Sequence, residues 1–334
     1  MAPEQDVVAS EGDFVLGIDF GGTKIALATA ALDGGFLESA RLETEAGHGA
    51  IQAVDRALAR AQDLISAAAR NGGGRCLAVS AVSPGIVYED HVALAPNVPG
   101  WQQLKLPSLL RERFEPARAA VGTDVKAAAE AELRWGSLRG ADPGILLILG
   151  TGLAAAIVVG GEVLHGANGA AGEIGYSLRG ACESTGVADG RAPLEEFAGG
   201  RAIGERASEL LGTALTAADV FEHPDPRASE LLEAALDELA VQVANMAILV
   251  DPARIAVGGG LMRRSDVILE ALERRLRLGA PFAPELVPAQ FIHDGPLRGA
   301  IALALDEAGV SRAADARGLE ADAPAGPTKA TPTQ

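Results

Sequence analysis

Asp19, Gly21, Gly22, Thr23 and Lys24 lie together inside the stretch "VLGIDFGGTKIALA", residues 15–28. Val15, Leu16 and Ile18 lead in, and Ile25, Leu27 and Ala28 lead out, so both flanks have the apolar, β-branched character of strands. Two glycines at a hairpin tip let backbone N–H groups approach an oxyanion with no Cβ in the way, and Thr23 adds a hydroxyl. Asp19 carries the wrong charge to face phosphate itself, but it can hold the hydrated Mg²⁺ that accompanies nucleotide phosphates. Taken alone, this turn is equally an ordinary β-turn with an incidental acid and base.

Two further glycine turns shift that balance. "LILGTGLAAAI" offers Gly150, Thr151 and Gly152 in the same strand–turn–strand setting. Gly258, Gly259 and Gly260 follow "RIAV", open toward a helix and could pass beside a nucleotide's adenosine. No GxxxxGK[ST] loop and no GxGxxG occurs, so neither a P-loop nor a Rossmann site is supported.

The elements that must position these turns can be read from periodicity. Strand patterns fall at 15–19, 25–30 and about 36–42, and a helix is expected from about 50 to 70 with Ile51, Val54, Leu58, Ala61 and Ile65 on one apolar face. "CLAVSAV" (76–82) reads as a buried strand. The theme then repeats, with strands at 145–149 and 153–159, a long helix over about 227–250, the strand "RIAVGGG" and further helices to about 308. The pattern predicts two related α/β lobes with a cleft between them.

At 334 residues the chain is comfortable for two domains, and 48% hydrophobic residues supply a substantial core. The net charge of −17 argues against nucleic acid as a partner, because phosphate binding needs a basic face. Cys76 and Cys182 cannot form a disulfide framework or a structural zinc site on their own. No basic segment followed by an apolar run opens the chain, so no signal peptide is expected. The most apolar stretch, "GILLILGTGLAAAIVVGG", is broken by Gly-Thr-Gly, which suits two buried strands better than a membrane helix. No membrane association and a cytoplasmic location are the expectations. Disorder is expected over 1–12 and 313–334.

Residues 15–28, 83–101, 121–132, 150–152, 166–176 and 254–260 together resemble the ROK family (repressor, open reading frame, kinase), and within it the glucokinase-type sugar kinases. The resemblance runs from about 14 to 308. It implies the two-lobed actin/hexokinase-like (ribonuclease H-like) α/β fold, with ATP and Mg²⁺ in the interlobe cleft and a hexose as acceptor. The implied lobes are 13–122, completed by a C-terminal helix near 297–310, and 123–296, and the resemblance also implies a homodimer. "SPGIVYEDHVALAPNVPGW" is similar to the stretch whose Asn binds sugar hydroxyls, which is Asn97. "VGTDVKAAAEAE" resembles the Asn-Asp-x-Asn segment, so the resemblance implies a general base at Asp124 and a sugar contact at Thr123. "GANGAAGEIGY" and "PLEEFAGGRAI" similarly imply sugar-binding carboxylates at Glu173 and Glu195. The chemistry agrees, since carboxylates and amides bind hydroxyl pairs in bidentate fashion.

Three departures from the family pattern stand out. Its usual His after Gly-Glu-x-Gly is Tyr176, and its cysteine cluster for zinc is reduced to Cys182, so no zinc site is expected. Asn-Asp-x-Asn has become Thr123-Asp124-Val125-Lys126. Ala154, Ala155 and Ala156 replace a glycine-rich continuation and either crowd a phosphate or pack as strand. Two rivals to an active kinase follow: a catalytically weak sugar or nucleotide binder, and a sugar-sensing regulator. The first hairpin at Val15 leaves no expected room for a winged-helix domain before it, and the acidic charge opposes DNA binding.

Overall fold

The computed structural model describes residues 10–95, 99–115 and 117–310. Most of both ends expected to be disordered, 1–9 and 311–334, lies outside the described residues, as does Asn97.

The chain opens with a three-stranded meander, β1 (Phe14–Phe20), β2 (Lys24–Ala31) and β3 (Phe36–Glu43), followed by α1 (Ala50–Gly72) and β4 (Cys76–Ser83). A small hairpin, β5 (Ile86–Val87) and β6 (Val92–Ala93), precedes α2 (Leu106–Phe114), β7 (Arg118–Thr123) and α3 (Asp124–Trp135). A second meander follows: β8 (Gly144–Leu149), β9 (Leu153–Val159) and β10 (Glu162–Val163). Then come α4 (Glu195–Ala198), α5 (Gly200–Leu211), α6 (Ala217–Phe221), α7 (Pro226–Val250), β11 (Arg254–Gly258), α8 (Ser265–Gly279), β12 (Glu285–Pro288) and α9 (Gly295–Glu307).

The two main sheets share one plan. The first runs β3-β2-β1-β4-β7 and the second β10-β9-β8-β11-β12. In each, the meander strands pair antiparallel while the later strands add parallel on the other side. The repeated strand–glycine–strand pattern at 15–28 and 145–159 is this duplication.

Both central strands are apolar on both faces because both faces are covered. In β1, Leu16, Ile18 and Phe20 enter the core under α1, while Val15 enters a separate core with Ile301, Ala304 and Leu305 of α9. In β8, Ile145, Leu147 and Leu149 face α7, whereas Leu146 faces Ala128 and Ala129 of α3. The period of two along a strand produces this division.

The apolar face of α1 differs from the expected one. Its buried side is Ala50, Ala53, Val54, Ala57, Leu58, Ala61, Leu64 and Ala68, whereas Ile51 is 58% exposed. The alanines let the helix lie close on the strands, and that close approach turns Ile51 outward.

The C-terminal α9 packs on β1, β4 and β7 and against α3. A Cβ on Gly299 would collide with the backbone carbonyl of Ala127, and one on Gly17 would lie 2.9 Å from Ile301 Cδ1. Glycine at these positions permits the close crossings that lock α3, and thus Asp124, onto the first sheet.

Candidate active site

The first glycine turn joins β1 to β2. Gly21 N–H donates to the Lys24 carbonyl at 3.0 Å, and a Cβ on Gly21 would lie 2.6 Å from that oxygen. Thr44 secures the turn from behind: its Oγ1 donates to the Gly21 carbonyl at 2.7 Å, and its N–H donates to the Thr23 carbonyl at 2.9 Å. The N–H groups of Gly22 and Thr23 make no hydrogen bond among the described residues.

The second turn, between β8 and β9, repeats the arrangement with different supports. Gly150 N–H donates to the Gly152 carbonyl at 3.0 Å. The first two N–H groups of α5, from Gly200 and Arg201, donate to the carbonyls of Gly150 and Thr151 at 3.0 and 3.1 Å. Thr151 and Gly152 N–H are again without a partner among the described residues. The carbonyls of Gly21 and Thr23 in the first turn and of Gly150, Thr151 and Gly152 in the second are thus occupied while N–H donors stay open, the polarity that an oxyanion requires.

A cavity of about 1180 Å³ spans the two turns, lined by Thr23, Gly150, Thr151, Gly204, Gly260 and His293 among others. Gly260 alone of the third glycine cluster lines it. Gly258 and Gly259 instead bring β11 close to β8: a Cβ on Gly259 would collide with the Leu149 carbonyl, and one on Gly258 would lie 3.1 Å from Ile148 Cδ1. Lys24 is exposed on the β2 side of its turn. His293, just before α9, was not expected from the sequence, because nothing local connects it to the glycine turns.

The acids adjoin the turns. Asp19 ends β1, and its pKa is pushed up to about 7 by burial and then by the charge of Asp124. Its carboxylate has no hydrogen-bond partner among the described residues. Asp124 opens α3, accepting from Val125 N–H at 2.7 Å. Burial raises its pKa to about 6, with the charge of Glu173 adding and Lys126 opposing. Glu173 is raised by burial and by Glu195, against Lys126, which stands 3.9 Å away. Tyr176 ends a single 3₁₀ turn after Glu173; burial and the charges of Glu173 and Glu195 raise its pKa. Asp19, Asp124, Glu173, Tyr176 and Glu195 therefore form one electrostatically connected group.

Glu195 and the neighbouring Thr123 have structural duties as well. Glu195 Oε2 accepts from Leu153 N–H at 2.8 Å beneath the second turn, and a Cβ on Gly152 would collide with that oxygen. Thr123 Oγ1 donates to the Gly85 carbonyl at 3.1 Å, leaving its lone pairs for a ligand donor. Ala154, Ala155 and Ala156 pair with Ile148, Leu147 and Leu146, and Ala155 and Ala156 are buried: of the two expectations for these methyls, packing as strand holds.

Trp101 closes the stretch quoted for Asn97, and its packing was not anticipated. Its Nε1 donates to Ser83 Oγ at 2.6 Å, and its ring meets Phe20 edge-on at 5.5 Å between centroids. In the loop where the family pattern would carry zinc ligands, Cys182 is exposed, and no metal-holding group of His, Cys, Asp and Glu occurs among the described residues. Phe197 is instead stacked between two guanidiniums, Arg179 at 4.2 Å and Arg206 at 4.0 Å from its ring centroid. Arg206 Nη1 also donates to the Phe197 carbonyl at 2.6 Å.

This fold is the two-lobed actin/hexokinase-like α/β fold, with a cleft between the sheets. Residues 15–307 match the ROK family, and the chain belongs to it. A glucokinase from Streptomyces coelicolor is 31% identical over 324 residues, covering 86% of this chain and 96% of that protein. An N-acetylmannosamine kinase from Escherichia coli is 30% identical, covering 87% and 98%. Among solved structures, a ROK hexokinase from Thermus thermophilus superposes with a TM-score of 0.73 at 27% identity, covering 89% of this chain and all of that one. A ROK family glucokinase from Streptomyces griseus, in complex with glucose and AMPPNP, gives 0.70 at 27% identity, covering 88% and 99%. These similarities make the chain a sugar-kinase homologue. No helix among the described residues is long and apolar enough to cross a membrane.

Proposed function

We propose that the protein is an ATP-dependent hexose kinase in which Asp124 is the general base. The observation that carries this reading is that buried Asp124 is electrostatically coupled both to Asp19, at the end of the strand feeding the first glycine turn, and to Glu173 on a loop after the second meander. The open N–H groups of both turns would hold the nucleotide phosphates, and Glu173, Tyr176, Thr123 and Glu195 would hold the sugar. Asp124, with a pKa of about 6, is ionised at neutral pH yet basic enough to take a hydroxyl proton.

Asp19 fits a hydrated divalent cation, because its buried carboxylate has no other partner among the described residues. Mg²⁺ bound there would neutralise charge on the transferring phosphoryl group. The chain's own contribution is to orient a sugar hydroxyl toward the phosphate and to accept its proton at Asp124. The same reading takes 13–122, completed by the C-terminal helix near 297–310, as one lobe and 123–296 as the other, in a cytoplasmic homodimer. Leu249 and Phe282, 85% and 77% exposed, are surfaces such a dimer could cover.

A coupled assay of ADP release with Mg-ATP across a hexose panel tests the proposal. At least one hexose should turn over with its phosphate ester as product. Binding of sugar and nucleotide without any turnover would favour the weak-binder alternative instead.

A further inference from the structure

Lys126 lies two residues beyond Asp124 on the first turn of α3, where the family resemblance has an amide. Its side chain is 4% exposed, unusual for an ammonium. Nζ lies 3.9 Å from Glu173 Oε1, beyond hydrogen-bonding distance, and makes no hydrogen bond among the described residues. Asp124 and Glu173 surround it electrostatically, but no acceptor fills its three donors. Nor is it sealed: Trp135 Nε1 is the single side-chain polar atom among the described residues that is both sealed and unpaired. Nζ therefore keeps some surface uncovered, and the two acids that act on it are Glu173 and Asp124.

A desolvated ammonium normally has its donors met. Here the missing acceptor has to come from whatever enters between Asp124 and Glu173. We propose that Lys126 contacts the hexose and reads charge on it, donating to a sugar oxygen and excluding an ammonium group at that ring position. The proposal rests on the hexose-kinase reading and adds a substrate class: neutral or acceptor-bearing hexoses are favoured over amino sugars. A hydroxyl or carbonyl oxygen satisfies the lysine donors. A sugar ammonium at the same place offers donors only, leaves Lys126 unsatisfied and repels its charge. Without Lys126, the surrounding carboxylates would instead attract that ammonium.

The test compares the best neutral hexose with its 2-amino and 3-amino analogues at about pH 7, where such amines are largely protonated. Wild type, Lys126→Met and Lys126→Arg are measured. For the analogue whose amine faces Lys126, the ratio of kcat/KM between neutral and amino sugar should fall about tenfold or more in Lys126→Met, mainly through KM, and stay near wild type in Lys126→Arg. If Lys126→Met does not fold, Lys126→Gln serves in its place. Ratios unchanged for both analogues would overturn the proposal, because a purely structural counter-ion of Glu173 would affect every sugar alike. If wild type phosphorylates no sugar, the kinase reading fails separately. The same ratios are then taken from dissociation constants by calorimetry, and the same outcomes decide the role of Lys126.

Discussion

The two sides of the cleft are built from different materials. On the side assigned to the nucleotide, the groups offered to a ligand are backbone N–H donors at two turns, each with its carbonyls held from behind, by Thr44 in one case and the start of α5 in the other. On the sugar side the groups are side chains: Asp124, Lys126, Glu173 and Tyr176. A backbone site asks for glycine and little else, so it persists while neighbouring residues change. A side-chain site alters its chemistry with each substitution: Thr123, Lys126 and Tyr176 are departures of that kind, whereas Ala154, Ala155 and Ala156 beside the second turn are absorbed as strand.

The comparison can be broken at several points. A large effect is expected where the two sides meet. Asp19→Asn should lower kcat by on the order of 100-fold with saturating sugar, since an amide cannot neutralise a cation. Without nucleotide or metal, the same variant should melt higher than wild type above about pH 7. The sign follows from linkage: burial raises the folded-state pKa of Asp19 from 3.8 to about 7, so the folded protein holds a proton that the unfolded chain releases, and stability falls across that interval as pH rises. Asparagine removes this dependence, and the difference in melting temperature should vanish below about pH 4.

Thr23→Val and Thr151→Val come next. Each should raise KM for ATP by about tenfold while leaving KM for the sugar within about twofold, as one hydroxyl donor is lost on one side only. Equal effects on both substrates would break the division. Tyr176→His should change the ranking of hexoses by kcat/KM and leave KM for ATP alone. In wild type the phenol reaches further than an imidazole and brings an apolar ring, so glucose is expected to be a modest substrate beside an epimer or substituted hexose. The smallest effect is none at all. A chelator should leave the melting temperature unchanged in the absence of Mg-nucleotide, and elemental analysis should find no stoichiometric zinc, since the Arg179–Phe197–Arg206 stack holds the loop.

The strand–glycine–strand units, α1 and α7 were legible because their cues are local: a period of two or of 3.6, closed by glycine. Asp124 and Glu173 were legible only as members of an ordered motif, since neither is distinctive by itself. Lys126, Trp101, His293 and the stacked Phe197 escaped because each acquires its setting from distant chain. Lys126 acquires its ion-pair neighbour, Glu173, from a loop far along the sequence. Ile51 was assigned to the wrong face for a similar reason. Hydrophobicity ranks isoleucine above alanine, yet the close approach of α1 to its sheet selects the smaller residue.

The central claim is that a side chain on the sugar side, Asp124, removes the proton of the attacking hydroxyl. Asp124→Asn tests it most directly, with kcat measured at saturating Mg-ATP and sugar affinity by calorimetry. The account predicts a loss of about 10²–10⁴-fold in kcat with sugar affinity within about tenfold of wild type, because the amide keeps the shape and cannot accept the proton. Near wild-type kcat in this variant would contradict it.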